Sequence, residues 1–191
     1  MLSNKPNQPK DGERRFARLA HDADVAHGTY PLPEDGLCLS AFLLLSPPGD
    51  PTRILAGRLD PRAPWDVIGA LDPRRIQLNS EGWMLPSCHL MYFESPGDAA
   101  HRILKEQLGL ESLPLGGLQV FSEAYPPRRH PGRELHWDLG FLYRGEVTPN
   151  WKPAHPAWTE LRFVDPSTTR RNEFTRSHEE VLELAGFRIG P

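Results

Sequence analysis

Apolar residues are grouped in short runs of strand length, separated by turn residues. The most apolar run, LCLSAFLLL at residues 37–45, ends at the turn sequence PPGD and predicts a buried strand. The next run, RILAGR at residues 53–58, is predicted to be its hairpin partner. Three more strands are predicted at residues 117–125, 134–147 and 159–165.

Helices are predicted where apolar residues recur at helical spacing between start and stop signals. The clearest begins at Ser95, a good N-cap, with Pro96 at the first helical position, and ends at Gly109. An amphipathic helix is predicted at residues 176–186 and a short one at residues 13–23. The mixed order of strands and helices favours a layered α/β or α+β domain over an open parallel sheet.

Composition limits the class of protein. The chain has 191 residues, enough for one ordinary domain, and a formal net charge of −3, which gives no reason to expect a nucleic-acid partner. The two cysteines exclude a disulfide framework and a four-cysteine zinc site. No apolar run approaches the roughly 18 residues of a membrane span, and the polar N-terminus does not have the core of a signal peptide. We therefore expect a cytoplasmic single domain at residues 13–191, with a flexible tail at residues 1–12 and no membrane partner.

Residues 83–110 resemble the Nudix box, whose pattern is GX5EX7REUXEEXGU, where U is a bulky aliphatic residue. Glu94 falls on the first glutamate, Arg102 on the arginine, Glu106 on the middle glutamate of the helix, and Gly109 on the final glycine. The resemblance implies a Nudix-like α/β/α sandwich with a mixed sheet, covering about residues 36–186, and a ligand that contains a nucleoside diphosphate linked to another group.

Three box positions depart from the pattern, because Cys88 replaces a glycine and both Ile103 and Gln107 replace glutamates. In a regular helix, positions 103, 106 and 107 lie within an arc of about 100°. Three carboxylates there would hold divalent cations, which need hard oxygen ligands. Only Glu106 is ionic here, so metal-dependent pyrophosphohydrolysis is predicted to be weak or lost.

The resemblance also assigns site residues. Glu106, Glu94 and Arg102 are the catalytic candidates, and Glu106 with Glu160 would hold Mg²⁺ or Mn²⁺, weakly if at all. Other interpretations stay open: Glu106 could form only an ion pair with Arg102 one turn away, and Glu94 with Arg102 could hold the loop against the helix. Core packing is the favoured interpretation for Ile103.

Basic and aromatic residues near the predicted fourth strand are the substrate-binding candidates. They could grip phosphates and stack on a base, but they could equally form a solvated loop and an aromatic core. These residues are Arg128, Arg129, Arg133, Tyr125 and Trp137. A zinc-type site from His136 and Asp138, with His89 or Cys88, is a further alternative.

Three functions remain open from the sequence. The first is a divergent Nudix-like protein that binds a nucleotide-like small molecule with little or no hydrolysis. The second is an active hydrolase with a rearranged metal site, and the third is a protein-interaction domain with a blocked cleft. The resemblance is also compatible with a homodimer, since many Nudix proteins are dimers.

Overall fold

Seven strands form two sheets in the part of the chain that the structure describes. The computed structural model describes residues 18–19, 37–64, 67–68, 76–77, 79–125, 136–148 and 153–191. The larger sheet contains β1 (Arg18–Leu19), β2 (Leu37–Ser46), β4 (Ser87–His89), β5 (Gly116–Tyr125) and β6 (His136–Glu146), and the smaller one contains β3 (Ile54–Leu59) and β7 (Trp158–Val164). The predicted tail at residues 1–12 lies outside the described residues.

Strand β2 is the centre of the larger, mixed sheet. It pairs with β6 in parallel, from Leu37 opposite Trp137 to Ser46 opposite Glu146, and with β1 and β4 antiparallel on its other edge. Strand β5 pairs antiparallel with β6, which gives the order β1-β2-β6-β5.

The prediction that residues 53–58 are the hairpin partner of β2 is wrong. Strand β3 pairs with β7 instead, with Ile54 opposite Val164. The reason is that β6 occupies one hydrogen-bonding edge of β2, and β1 and β4 occupy the other. A short turn between two apolar runs therefore does not make a hairpin when neither edge of the first strand is free.

The two main predicted helices are present. The first comprises α1 (Pro96–Arg102) followed by a π-helical turn (Ile103–Gln107), and Ser95 caps it by accepting a 3.1 Å hydrogen bond from Asp98 N. The second is α2 (His178–Leu184).

The helix predicted at residues 13–23 is wrong for Arg18–Leu19, which form β1; the rest of the predicted helix lies outside the described residues. No helix in the described part of the chain is long and apolar enough to cross a membrane.

Alternating side chains of β2 supply the cores on the two faces of the larger sheet. Ala41, Leu43 and Leu45 pack in one cluster with the α1 helix, while Phe42 and Leu44 pack in another with α2. The helices therefore cover opposite faces, and the predicted α/β/α sandwich with a mixed sheet is confirmed.

A buried histidine fixes the start of α2. His178 Nδ1 accepts a 2.7 Å hydrogen bond from Leu85 N, and its ring meets that of Phe42 edge-on. The preceding residues, Arg176 and Ser177, both have left-handed backbone angles, with φ of 56° and 58°. Burial, together with the nearby charge of Arg176, holds the pKa of His178 well below its ordinary value, so the ring is neutral in the folded protein.

We expect the stability of the protein to fall as the pH drops below about 6.5, the ordinary histidine pKa. The unfolded chain then binds a proton at His178 that the folded chain does not, which costs up to about 1.4 kcal/mol per pH unit. His178→Asn, which keeps a hydrogen-bond acceptor but does not titrate, should flatten this slope in urea denaturation between pH 5 and 7.5. An equally steep slope in the variant would assign the acid sensitivity to other groups.

Candidate functional site

An ion pair between Glu94 and Arg102 organises the segment that resembles the Nudix box. Arg102 Nε donates to Glu94 Oε1 at 2.6 Å and Arg102 Nη2 donates to Glu94 Oε2 at 2.8 Å, forming a two-pronged contact. The two side chains are only 9% and 8% exposed. Arg102 Nη2 also donates to His89 O at 2.9 Å. The pair thus links α1, the loop before it and β4, which is the loop-holding contact considered from the sequence.

The same carboxylate closes a tight turn that displays two aromatic rings. Glu94 Oε2 accepts from Met91 N at 2.8 Å, and Glu94 N donates back to Met91 O at 3.2 Å. Within this turn Tyr92 is 50% and Phe93 is 74% exposed, and Phe93 has a left-handed φ of 62°. Such a conformation is unusual for a bulky residue and marks a tightly constrained turn. Tyr92 and Phe93 are not among the predicted site residues, although two adjacent aromatic residues just before the first box glutamate are a signal that the sequence contains.

Cys88 is part of the packing beneath this ion pair. Its sulfur lies 3.1 Å from Arg102 Nη2 and 3.9 Å from Ala99 O. Burial raises the pKa of the Cys88 thiol to about 12, against the lowering effect of the Arg102 charge. The thiol is therefore neutral near pH 7, which does not suit a nucleophile.

Ile103 and Gln107, the two helix residues that differ from the Nudix pattern, both have side chains that point into the protein. Ile103 is 1% exposed and packs in the core cluster on the α1 face, so the core-packing interpretation is confirmed. Gln107 is also 1% exposed, and its amide nitrogen donates to Ser87 O at 2.7 Å and to Val67 O at 3.3 Å. A carboxylate at position 107 would have no proton for those two carbonyls, so the amide has a structural role there.

The π-helical turn changes the geometry that a regular helix would give. Residues 103–107 follow the wider π spacing, so the arc of about 100° expected for three box positions does not apply to this segment. Of the residues at positions 103, 106 and 107, only Glu106 is half-buried, whereas the other two are buried. Burial acts to lower the pKa of Arg102, but its hydrogen bonds to Glu94 and the charges of Glu94 and Glu106 raise the pKa above its ordinary value.

Glu160 is on β7, in the smaller sheet. It is paired with Arg162 at 3.0 Å, and the Arg162 guanidinium stacks 4.7 Å from the ring centre of Trp83, which belongs to the core on the α2 face. The neighbours of Glu160 and Arg162 along β7, Leu161 and Phe163, pack in the cluster of the α1 face. Because side chains alternate along a strand, Glu160 faces away from α1 and is not brought beside Glu106.

The donor set does not fit the divalent cations that the resemblance implies. Within the described part of the chain, no three His, Cys, Asp or Glu side chains are arranged to hold a metal ion. Mg²⁺ and Mn²⁺ favour several oxygen ligands. Of box positions 103, 106 and 107 only Glu106 is a carboxylate, while Glu94 is engaged by Arg102 and Asp98 by Ser95.

The substrate-binding candidates are only partly covered by the structure. Trp137 is half-buried on β6, and its Nε1 donates to Ser122 Oγ at 2.5 Å across to β5. The last residue of β5, Tyr125, pairs with His136. Arg128, Arg129 and Arg133 lie outside the described residues, so their phosphate-gripping role stays a prediction.

Comparison with solved structures identifies the fold. A MutT NUDIX hydrolase from Burkholderia pseudomallei is similar over 77% of this chain and 96% of its own, with a TM-score of 0.52 and 15% identity. The Nudix hydrolase RenU from M. smegmatis is similar over 81% of this chain and 92% of its own, with a TM-score of 0.50 and 18% identity. The chain therefore has the Nudix fold.

A third similar structure contains ligands. It is a bifunctional NMN adenylyltransferase/ADP ribose pyrophosphatase from Francisella tularensis complexed with AMP and a Mn ion, matched over 77% of this chain and 40% of its own, with 16% identity and a TM-score of 0.50. No protein-family model matches the chain, and a search of curated proteins also gives no match. At these identities the likeness shows the fold alone.

Removing the charge of Glu94 should destabilise the protein strongly. Glu94→Gln leaves the buried Arg102 guanidinium without its counter-ion, which typically costs about 3–5 kcal/mol. Chemical denaturation measures this loss, and Glu111→Gln, at an 82% exposed side chain, is the matched control that should change stability little. A loss below about 1 kcal/mol in Glu94→Gln would show that the pair is not needed to hold the loop.

Restoring the family glutamates should destabilise the fold rather than rebuild a metal site. Ile103→Glu and Gln107→Glu each place a carboxylate in a buried environment, and we expect each to cost about 3 kcal/mol or more. Lys105→Glu, which introduces the same group at a 66% exposed position of the same turn, is the control. Normal stability together with tighter Mg²⁺ binding by calorimetry in either buried variant would contradict the inward orientation.

Proposed function

We propose that this protein is a Nudix-fold binding protein whose ligand contains a nucleoside diphosphate linked to another group, with two-metal pyrophosphohydrolase activity weak or absent. The box segment keeps the contacts that shape a Nudix loop and helix, through Glu94 and Arg102. It does not keep the carboxylates that such hydrolysis requires. Binding is therefore the activity that the segment supports best.

The observation that carries this proposal is the orientation of Ile103 and Gln107. Both side chains are 1% exposed, and Gln107 is committed to hydrogen bonds with two backbone carbonyls. They are part of the packing, so neither substitution leaves an open position that another ligand of the metal could simply fill. A rearranged site would have to be built around Glu106 alone.

The proposed ligand class is supported by the surfaces beside the box helix. Tyr92 and Phe93 present their rings on a turn whose two ends are held by Glu94, which gives a firm surface on which a base can stack. Arg128, Arg129 and Arg133 remain the proposed phosphate contacts. The AMP bound by the structurally similar Francisella tularensis protein is in keeping with a nucleotide-like ligand.

An active hydrolase with a rearranged metal site is the second candidate. The observation in its favour is that Glu106 is still a half-buried carboxylate on the box helix, within the electrostatic field of Arg102. Under this alternative, Glu106 would be indispensable for turnover.

A panel assay separates the two candidates. Phosphate and nucleotide release is measured from nucleoside triphosphates, ADP-ribose, dinucleoside polyphosphates, NADH and coenzyme A, with Mg²⁺, Mn²⁺ or Zn²⁺, and binding is followed by thermal shift. The purified protein is compared with Glu106→Gln and with the control Glu111→Gln. We expect one of these ligands to stabilise all three proteins, with turnover at background level.

Turnover that Glu106→Gln abolishes and Glu111→Gln retains would instead establish the rearranged hydrolase. If no ligand stabilises the protein and none is hydrolysed, the nucleotide-binding proposal fails and the protein-interaction alternative takes its place.

A further inference from the structure

A cleft of about 510 Å³ lies on the α2 face of the larger sheet, away from the box helix. The turn between β2 and β3 and the segment after β7 form its sides, while the end of β6 and the residues after α2 complete it. Its position on the α2 face follows from Arg144, whose Nη2 donates to Ala185 O at the end of α2 at 2.7 Å. The volume lies within the range of about 300–1,000 Å³ that is typical of small-molecule sites.

The sides of the cleft are held in place by hydrogen bonds outside the cavity itself. Gly190 N donates to Pro166 O at 2.9 Å and to Thr169 O at 3.1 Å, which fastens the residues after α2 to the turn after β7. On the opposite side, Asp50 fixes the β2–β3 turn by accepting from Thr52 N at 3.2 Å and from Arg53 Nε at 2.7 Å. A cleft with such sides is formed before any ligand arrives, which lowers the entropic cost of binding.

Two guanidinium groups give the cleft its donors. Arg144 is anchored by Ala185 O, while Arg188 is exposed and has no hydrogen bond or ion pair with any described residue. The only carboxylate that lines the cleft is Asp165. The lining therefore carries one net positive charge, which favours an anionic group that both arginines can reach.

Two hydroxyl groups add acceptors to the Asp165 carboxylate. Ser167 Oγ donates its proton to Asp165 Oδ1 at 2.7 Å, and Thr52 Oγ1 donates its proton to Asp50 Oδ1 at 2.5 Å. Since each hydroxyl has one proton, both oxygens can only accept hydrogen bonds from a ligand. They are therefore suited to a ligand that carries hydroxyl groups of its own.

We infer that this cleft binds a phosphorylated sugar. The phosphate would contact Arg188 and Arg144, the sugar hydroxyls would donate to Ser167 and Thr52, and the half-buried ring of Phe187 would pack against the carbon face of the sugar. A free sugar phosphate and the ribose phosphate of a nucleotide share this chemistry. The site is separate from the box helix, so it does not rest on the proposed function above.

Titration calorimetry with ribose 5-phosphate tests the inference. Arg188→Gln removes a guanidinium that supports no other part of the described structure, and the loss of one charge-assisted hydrogen bond should weaken binding about tenfold or more. Arg62→Gln, at an 89% exposed arginine outside the cleft, should bind as the unaltered protein does.

Ser167→Ala separates the sugar contact from the phosphate contact. It should weaken binding of ribose 5-phosphate severalfold while leaving the affinity for inorganic phosphate unchanged. Free ribose should bind far more weakly than ribose 5-phosphate, and AMP binding that depends on Arg188 would identify the nucleotide as the source of the sugar phosphate.

The inference is overturned if ribose 5-phosphate fails to bind at millimolar concentration or binds Arg188→Gln as tightly as the unaltered protein. Inorganic phosphate that binds as tightly as ribose 5-phosphate would overturn the sugar assignment.

Discussion

The buried ion pair between Glu94 and Arg102 is the contact on which the geometry of the box segment depends. One guanidinium reaches Glu94, the carbonyl of His89 and the sulfur of Cys88, and the same carboxylate closes the turn from Met91. A strand, a turn and a helix are therefore positioned by a single pair of charges. Since burying charges costs free energy that the pair only partly returns, its role here is best understood as fixing geometry.

This ion pair explains how the box segment keeps its loop and helix in place although Ile103 and Gln107 stand where the Nudix pattern has glutamates. The matching positions Glu94 and Arg102 make contacts within the protein, whereas metal ligands would have to face outward from the helix. Ile103 and Gln107 face inward, and the π-helical turn that contains them reaches the core through both side chains. The residues that hold the segment together are thus different from those at the glutamate positions of the pattern.

The sequence alone predicted features that depend on neighbouring residues. The cap at Ser95, the stop at Gly109 and the extents of most strands follow from local preferences and were found as expected. The partner of β3 and the orientation of Glu160 were not predictable in this way, because they depend on which strand edges other segments occupy. The hydrogen bond from Gln107 to the carbonyl of Val67 joins residues far apart in the chain, so no local sequence pattern predicts it. The cleft beside Arg188 is likewise assembled from four separate segments.

The strand pairing has a consequence for how this protein reaches its folded state. Strand β2 finds its parallel partner β6 roughly one hundred residues later in the chain, and β3 is separated from β7 by a similar distance. Forming contacts of such long sequence separation closes large loops, and the chain loses conformational entropy before the contacts stabilise it. Folding is therefore expected to be slow compared with helical proteins of this size. During synthesis, the apolar β2 leaves the ribosome long before β6 exists. Until then the edge of β2 that pairs with β6 has no partner strand, and such an unpaired apolar strand is prone to aggregate during synthesis.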